Sequence, residues 1–487
     1  MSRTVDQLEP RNLWRYFARL SEIPRCSKHE GPVLAWLDDL AREKGVEIRS
    51  DGAGNRLMRL PATPGHENAP TVVMQGHVDM VCEKDPDVTH DFSRDPIRPI
   101  VDGDVVRAQG TTLGADNGIG VATALAFLDE KEAVHGPLEL LFTVDEETGL
   151  TGARALAPEF FSGRILFNMD SEVLGRFTIG SAGGGDSILT LCAPRSPWPQ
   201  GAAYKLEIGG LVGGHSGADI HRHRGNSLKI LARLLAETES DLRLGPARGG
   251  TKRNAIAREA EAWIAVSRDA GPELEAHVRQ QAKLIGSQYG RIEPDLGISL
   301  HPANGEAVGF AEPEESRHLI HLLDALPCGV IDMSLEFPGI VETSSSIGIL
   351  EDLDDGYRVI CSSRSASDEA LAGILGGIGS LAHLAGAEIE RSDAYPAWPP
   401  RLGTPLLKTV EAVYRRLFDA DPTFELIHGG LECGLFLGAY PDLQIVSCGA
   451  KIDDAHSPRE RVRIASVERL WRFARALLAE LAGSSSP

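Results

Sequence analysis

Four apolar runs that end in acidic or imidazole side chains constrain this chain more than any other feature. They are "TVVMQGHVDMV" (71–81), "PLELLFTVDEE" (137–147), "RILFNMDSE" (164–172) and "LQIVSCGA" (443–450), the last followed closely by "DDAH" (453–456). Short runs of this kind read as buried strands, and a buried strand has little use for unpartnered His, Asp or Glu. Between and before them lie "PRNLWRYFARLSEI" (10–23), "HEGPVLAWLDDLAREKG" (29–45) and "GIGVATALAFLDE" (118–130). The first two carry apolar residues at spacings of three and four, and all three are expected as helices. Helices alternating with apolar β runs predict an α/β layer built on a mixed, largely parallel sheet with helices on both faces.

The 487 residues suffice for two or three domains. Near residue 185 the texture changes. After the connector "SPWPQGAA" (196–203), a strand-rich series with several helices predicts a two-layer α/β unit, and "AYPAWPPRLGTP" (394–405) has the composition of a second boundary. The expected organisation is an α/β domain (1–184 and 393–487) interrupted by an inserted domain (185–392). Polar residues on both sides of the insertion call for the same partners.

Charge and cysteine usage exclude several classes. Lys plus Arg number 49 against 70 Asp plus Glu, a net −21 that opposes nucleic acid or an anionic membrane as main partner. The seven cysteines show no CxxC pair and no disulfide framework, so reduced thiols are expected. No signal-peptide core and no apolar transmembrane run is visible, which favours a cytoplasmic address.

Each polar strand end admits an ordinary reading. His77 and Asp79 share a strand face and could be an exposed pair, or an imidazole oriented by its carboxylate. Asp116 and Asn117 in "TTLGADNGIG" (111–120) could be a turn and helix cap. Asp145, Glu146 and Glu147 could be surface acids, although three together in a crowded site would require a cation. Taken as a set, His77, Asp116, Glu147, Asp170 and His456 mix imidazole and carboxylate in a way that suits zinc, cobalt or manganese. Two close metals would require one carboxylate to bridge them. The chain has no HExxH, against a thermolysin-like site.

The chain resembles the aminoacyl-histidine dipeptidases (Xaa-His or cytosol non-specific dipeptidases), in the superfamily of co-catalytic zinc aminopeptidases, carboxypeptidases and deacylases. Nine segments carry the resemblance in order: "IPRCSKHE", "VVMQGHVDMV", "GTTLGADNGIG", "TVDEETGLTGA", "NMDSE", "GGLVGGHSG", "GTKRNAIA", "HGGLECGLF" and "HSPRE". The resemblance implies that His77 and Asp170 bind one zinc, that Glu147 and His456 bind the other, and that Asp116 bridges. It makes Glu146 the general base and Asp79 the support of His77. The inserted domain becomes a lid and the surface of a homodimer. In it, His215 would steady the oxyanion, and Asn254 and Arg364 would contact substrate, a guanidinium suiting a terminal carboxylate.

Ser346 stands where relatives usually carry asparagine, and Ala450 where they carry proline, which weakens transfer of fine substrate preference. His221 and His223 in "DIHRHRG" read as part of a basic loop, and His428 as a pocket residue without an assigned step. Neither Cys433 nor Cys448 is needed as a nucleophile. The expected activity is hydrolysis of unblocked dipeptides, Xaa-His among them, by water activated at Glu146. The rival is another amidase of the superfamily: a tripeptidase, an N-acyl-amino-acid deacylase or a carboxypeptidase.

Overall fold

The computed structural model describes residues 4–198, 201–238, 241–303, 308–392 and 394–483. The chain divides into two compact units. One comprises Met1–Gly180, Pro400–Leu426 and Leu431–Pro487, and the other Ser181–Pro399 with Ile427–Gly430. Residue 393, the expected start of the returning segment, lies outside the described residues.

The first unit is built on an eight-stranded sheet. Its order is Glu47–Ser50, Arg56–Leu60, Leu138–Thr143, Val72–His77, Ile165–Asn168, Gln444–Ser447, Arg176–Ser181 and Thr423–Ile427. The middle strands Leu138–Thr143, Val72–His77, Ile165–Asn168 and Gln444–Ser447 run parallel. Val72–His77 and Leu138–Thr143 are buried along their whole length, as continuous apolar runs at the centre of a sheet should be. Burying Val72, Val73 and Met74 contributes about 1.5–3 kcal/mol each. The helix Ala115–Ala126 packs on Val72–His77 and on the helix Arg11–Ser21.

The expectation of a largely parallel sheet is overturned. The parallel core is flanked by antiparallel pairings: Glu47–Ser50 with Arg56–Leu60, that strand with Leu138–Thr143, and Gln444–Ser447 with Arg176–Ser181. A separate four-stranded sheet joins Ile100–Asp102, Val105–Arg107, Arg461–Arg463 and Ile452–Asp453, again antiparallel. Connection length accounts for the first of these pairings. The turn 51–55 is too short for a crossover and returns the chain antiparallel, whereas the parallel neighbours Val72–His77 and Leu138–Thr143 are joined across the helix Ala115–Ala126.

The second unit is antiparallel in every described pairing of its large sheet. From edge to edge this runs Gly297–Pro302, Gly201–Gly209, Ala260–Ser267, Arg243–Gly249, Val341–Leu353, Gly356–Ser365, Gly183–Cys192 and Glu388–Arg391, with Gly329–Met333 paired to Val341–Leu353. Leu228, Leu231, Leu274, Leu319 and Ile378 from its helices join Leu206, Ile264, Leu350 and Val359 from its strands in one core. The sequence-based reading missed a disulfide. Cys26 and Cys82 are bonded, with Cα atoms 5.8 Å apart, and Cys192, Cys328, Cys361, Cys433 and Cys448 are free. The pair is 56 residues apart in sequence and meets because Cys26 bridges to Met80 in parallel. Among the described residues no helix is long and apolar enough to cross a membrane.

Candidate active site

The strand Val72–His77 delivers His77 to the carboxyl end of the parallel core, where the chain leaves the sheet. Asp79 Oδ1 lies 3.2 Å from His77 Nδ1 and accepts from Glu146 N at 3.1 Å. Its other oxygen accepts from Ser27 Oγ at 2.8 Å and Glu147 N at 3.2 Å. One carboxylate therefore orients the imidazole and positions the backbone of both glutamates. Burial raises the Asp79 pKa, but the adjacent His77 imidazole and the Ser27 hydroxyl outweigh that and lower it overall.

With Nδ1 turned to Asp79, His77 Nε2 faces Asp116 Oδ1 and Asp170 Oδ1, each at 3.3 Å. The other oxygen of Asp116 lies 3.1 Å from His456 Nε2, which also faces Glu147 Oε2 at 3.1 Å. Two overlapping groups result, His77–Asp116–Asp170 and Asp116–Glu147–His456, each with its candidate ligand atoms within 4.8 Å of one another. Asp116 belongs to both and turns one oxygen to each. Asn117 donates to Asp170 Oδ1 at 2.8 Å and to the Met169 carbonyl at 2.6 Å, which fixes the Asp170 carboxylate.

The electrostatics call for cations. Burial, only partly offset by His77 and reinforced by Asp116, pushes Asp170 up to about 8, and burial with neighbouring acids raises Glu146 well above the carboxylate range. Burial opposes the charge on His456, yet Asp116 and Glu147 raise it to about 11. Glu147 Oε1 is buried and makes no hydrogen bond. Such a crowd of acids, with an orphaned carboxylate oxygen inside it, fits a pair of divalent metals. His77, Glu146 and Glu147 form another such group, and a fourth, Glu30, Asp79 and Asp145, is also close and buried, with hydrogen-bond donors on each of its carboxylates. Glu30 accepts from Lys28 N and Asp145 N, and Asp145 from Thr148 and Thr151. Of the three consecutive acids, Asp145 is thus structural.

The remaining candidates belong to the second unit. The short strand Gly214–His215 pairs with Ala255–Ile256, beside Asn254, whose carbonyl accepts from Ser216 N at 2.8 Å. His215 Nδ1 accepts from Gly217 N at 3.1 Å and Ala218 N at 3.0 Å, which leaves the ring proton on Nε2. A Cβ added at Gly217 would lie 3.1 Å from both His215 Cε1 and Arg364 Nε, so the two side chains converge there. Arg364 donates to Tyr395 Oη at 2.8 Å, while its buried Nε makes no hydrogen bond. His428 Nε2 lies 2.7 Å from Ser344 Oγ, and burial, with Arg364 and His215 nearby, pushes its pKa down to about 4. His221 and His223 are exposed and join no metal-ligating group among the described residues. Ser346 and Ala450 are both buried.

Three further residues shape the first unit's site, and the sequence offered only their presence in matching motifs. Arg25, fully buried, donates to the carbonyls of Val78, Asp79 and Gly114 at 2.6–3.0 Å. Gly114 has φ 70°, and a Cβ there would lie 2.5 Å from the Arg25 guanidinium. Glu432 accepts from Gln75 and Thr143, neighbours of His77, and burial raises it to about 7. Glu460 binds the loop before Asp116.

Comparison with known proteins agrees with this chemistry. The cytosol non-specific dipeptidase of Escherichia coli is 43% identical over 481 residues, spanning 98% of this chain and 99% of that protein. The crystal structure of aminoacylhistidine dipeptidase from Vibrio alginolyticus superposes with TM-score 0.86 at 41% identity, covering 98% of each chain. Aminopeptidase PepT from Bacillus cereus shares the fold, with TM-score 0.56 at 17% identity over 98% of this chain and 99% of that one. Residues 73–480, from the strand that carries His77 to the last helix, match one family along their whole length. With a paired metal site of imidazoles and carboxylates at its centre, the chain belongs to peptidase family M20/M25/M40.

Proposed function

We propose that this protein is a di-metal dipeptidase that hydrolyses unblocked dipeptides, Xaa-His dipeptides among them, with Glu146 as general base. The observation that carries the reading is Asp116, whose two oxygens face two different imidazoles, each backed by a second carboxylate. In this reading His77 and Asp170 hold one metal, Glu147 and His456 the other, and Asp116 both. Bound there, two divalent cations supply Lewis acidity to the scissile carbonyl and make water acidic enough to ionise near neutrality.

The chain's own groups do the rest. Glu146, its backbone held by Asp79, takes the proton of the attacking water and returns it to the leaving amine. Asp79 keeps the His77 ring in the tautomer that presents Nε2. His215, with Nδ1 accepting from two backbone N–H groups, has an Nε2–H to donate to the oxyanion. Arg364 and Asn254 contact the substrate, the guanidinium taking the terminal carboxylate. The first unit is the catalytic domain, and the inserted unit is the lid and the surface of a homodimer. A cytoplasmic address follows the name of the Escherichia coli relative.

The test is a substrate panel on chelator-stripped protein reloaded with zinc, cobalt or manganese. Free Xaa-His and other dipeptides are expected to turn over only after a metal is returned. Preference for tripeptides or N-acyl amino acids, or full activity in excess chelator, overturns the reading.

A further inference from the structure

The His456–Glu460 turn, "HSPRE", connects the strands Ile452–Asp453 and Arg461–Arg463, which pair with one another and, through the second, with Val105–Arg107. His456, at the start of the turn, faces Asp116. Glu460, at its end, is buried and is not a candidate ligand. Its carboxylate accepts from four consecutive backbone amides. Oε2 takes Leu113 N at 2.8 Å and Gly114 N at 3.0 Å, and Oε1 takes Ala115 N at 2.7 Å and Asp116 N at 3.3 Å.

Four successive N–H groups turned onto one anion leave the 113–116 backbone little freedom, because each would otherwise be an unsatisfied buried donor. The left-handed Gly114 makes the curl possible. From the other side Arg25 Nη2 donates to the Gly114 carbonyl, while Nη1 donates to the carbonyls of Val78 and Asp79. The buried guanidinium therefore ties this loop to the segment that follows His77 and also supplies a counter-charge for Glu460. The loop that carries the carboxylate shared by both metal groups is thus clasped by a residue from the same turn as His456.

We propose that Glu460 is a positioning residue that presets Asp116, and couples it to His456, before any metal arrives. The proposal rests on the di-metal reading above. Its role is geometric. A flexible 113–116 loop would have to be ordered at the moment of metal binding, whereas a clasped one presents Asp116 ready to bridge.

Two measurements test this. The first uses metal-free wild-type protein: the amides of 113–116 are expected to exchange with solvent on the order of 100-fold or more slower than in an unstructured chain. Exchange at the unstructured rate, in otherwise folded protein, overturns the proposal whether or not metals bind. The second compares Glu460→Gln with wild type by titrating divalent zinc against a competing chelator at a temperature where both are folded. The amide that replaces one carboxylate oxygen points a donor at donors, so the affinity for the metal pair is expected to fall about 10- to 100-fold. The decrease should appear in kcat, with KM nearly unchanged. A variant with a lowered melting temperature but wild-type metal affinity would show Glu460 to be merely structural and overturn the proposal. If wild type itself binds no metal pair, the di-metal reading fails instead, and the exchange result still decides whether Glu460 holds the loop.

Discussion

The two units solve opposite electrostatic problems. The first crowds Asp116, Glu146, Glu147 and Asp170 around two imidazoles, raises the pKa of several acids, and leaves a carboxylate oxygen without a donor. The second gathers His215, Arg364 and His428 near Gly217, leaves a guanidinium nitrogen without an acceptor, and depresses the histidine. One cluster is short of positive charge and the other of negative. Their supports differ as well. The first unit holds its site with a parallel core, a buried Arg25, the Glu460 clasp and a disulfide. The second relies on a continuous antiparallel sheet and a large apolar core, and its cysteines 192, 328 and 361 are free.

The sharpest way to break this contrast is Glu146→Gln. If the acid-rich cluster is the reaction centre, kcat falls about 1,000-fold while both metals remain bound. Steady-state kinetics with a metal count on the same sample checks it, and near-wild-type turnover removes Glu146 as base.

A smaller effect separates the two supports. The Cys26–Cys82 bond closes a loop of 56 residues' separation beside Asp79, and in the chain-entropy account its loss costs up to roughly 4 kcal/mol. A dithiol reductant, or Cys26→Ser with Cys82→Ser, should lower the denaturation midpoint by a corresponding amount, and the double variant should no longer respond to reductant. No change in midpoint on reduction would mean that hydrogen bonds alone hold the segment. It would also leave the site indifferent to a reducing compartment.

The last prediction belongs to the second unit and depends on pH. His428 is depressed to about 4 when folded, whereas an unfolded histidine titrates near 6.5. Above pH 6.5 neither state binds the proton and the full stability is present. As pH falls from 6.5 towards 4 the unfolded chain takes up a proton that the folded one refuses, and about 3 kcal/mol is lost. His428→Gln should flatten that part of the stability-versus-pH curve, as urea denaturation at each pH would show. An unchanged slope would place the titration elsewhere.

Much of the site was legible before any fold. "VMQGHVDMV", "GADNG", "DEETG", "NMDSE" and "HSPRE" each put an acid or a histidine at the end of an apolar run or in a glycine turn, where neither belongs without a partner. The helices at 11–21 and 115–126 were legible from their apolar spacing and position. Sheet direction was not, because an apolar run of four to six residues looks the same whichever way its neighbour runs. Nor was the separation of Asp145 from Glu146 and Glu147, which depends on a positive φ at Asp145 and on two threonine hydroxyls.

By itself, then, the sequence determined which residue types must be reckoned with and the order in which they occur. It also determined the acidic balance of the chain, 49 basic against 70 acidic side chains. The tertiary structure alone decided that Asp116 shares its two oxygens between His77 and His456, 340 residues apart from the latter. It alone decided that Cys26 meets Cys82, and that Glu460 closes on the 113–116 backbone. The physical reason is common to all three. Each is a contact between segments distant along the chain, set by where strands pair and loops close, and no local pattern of residues records it.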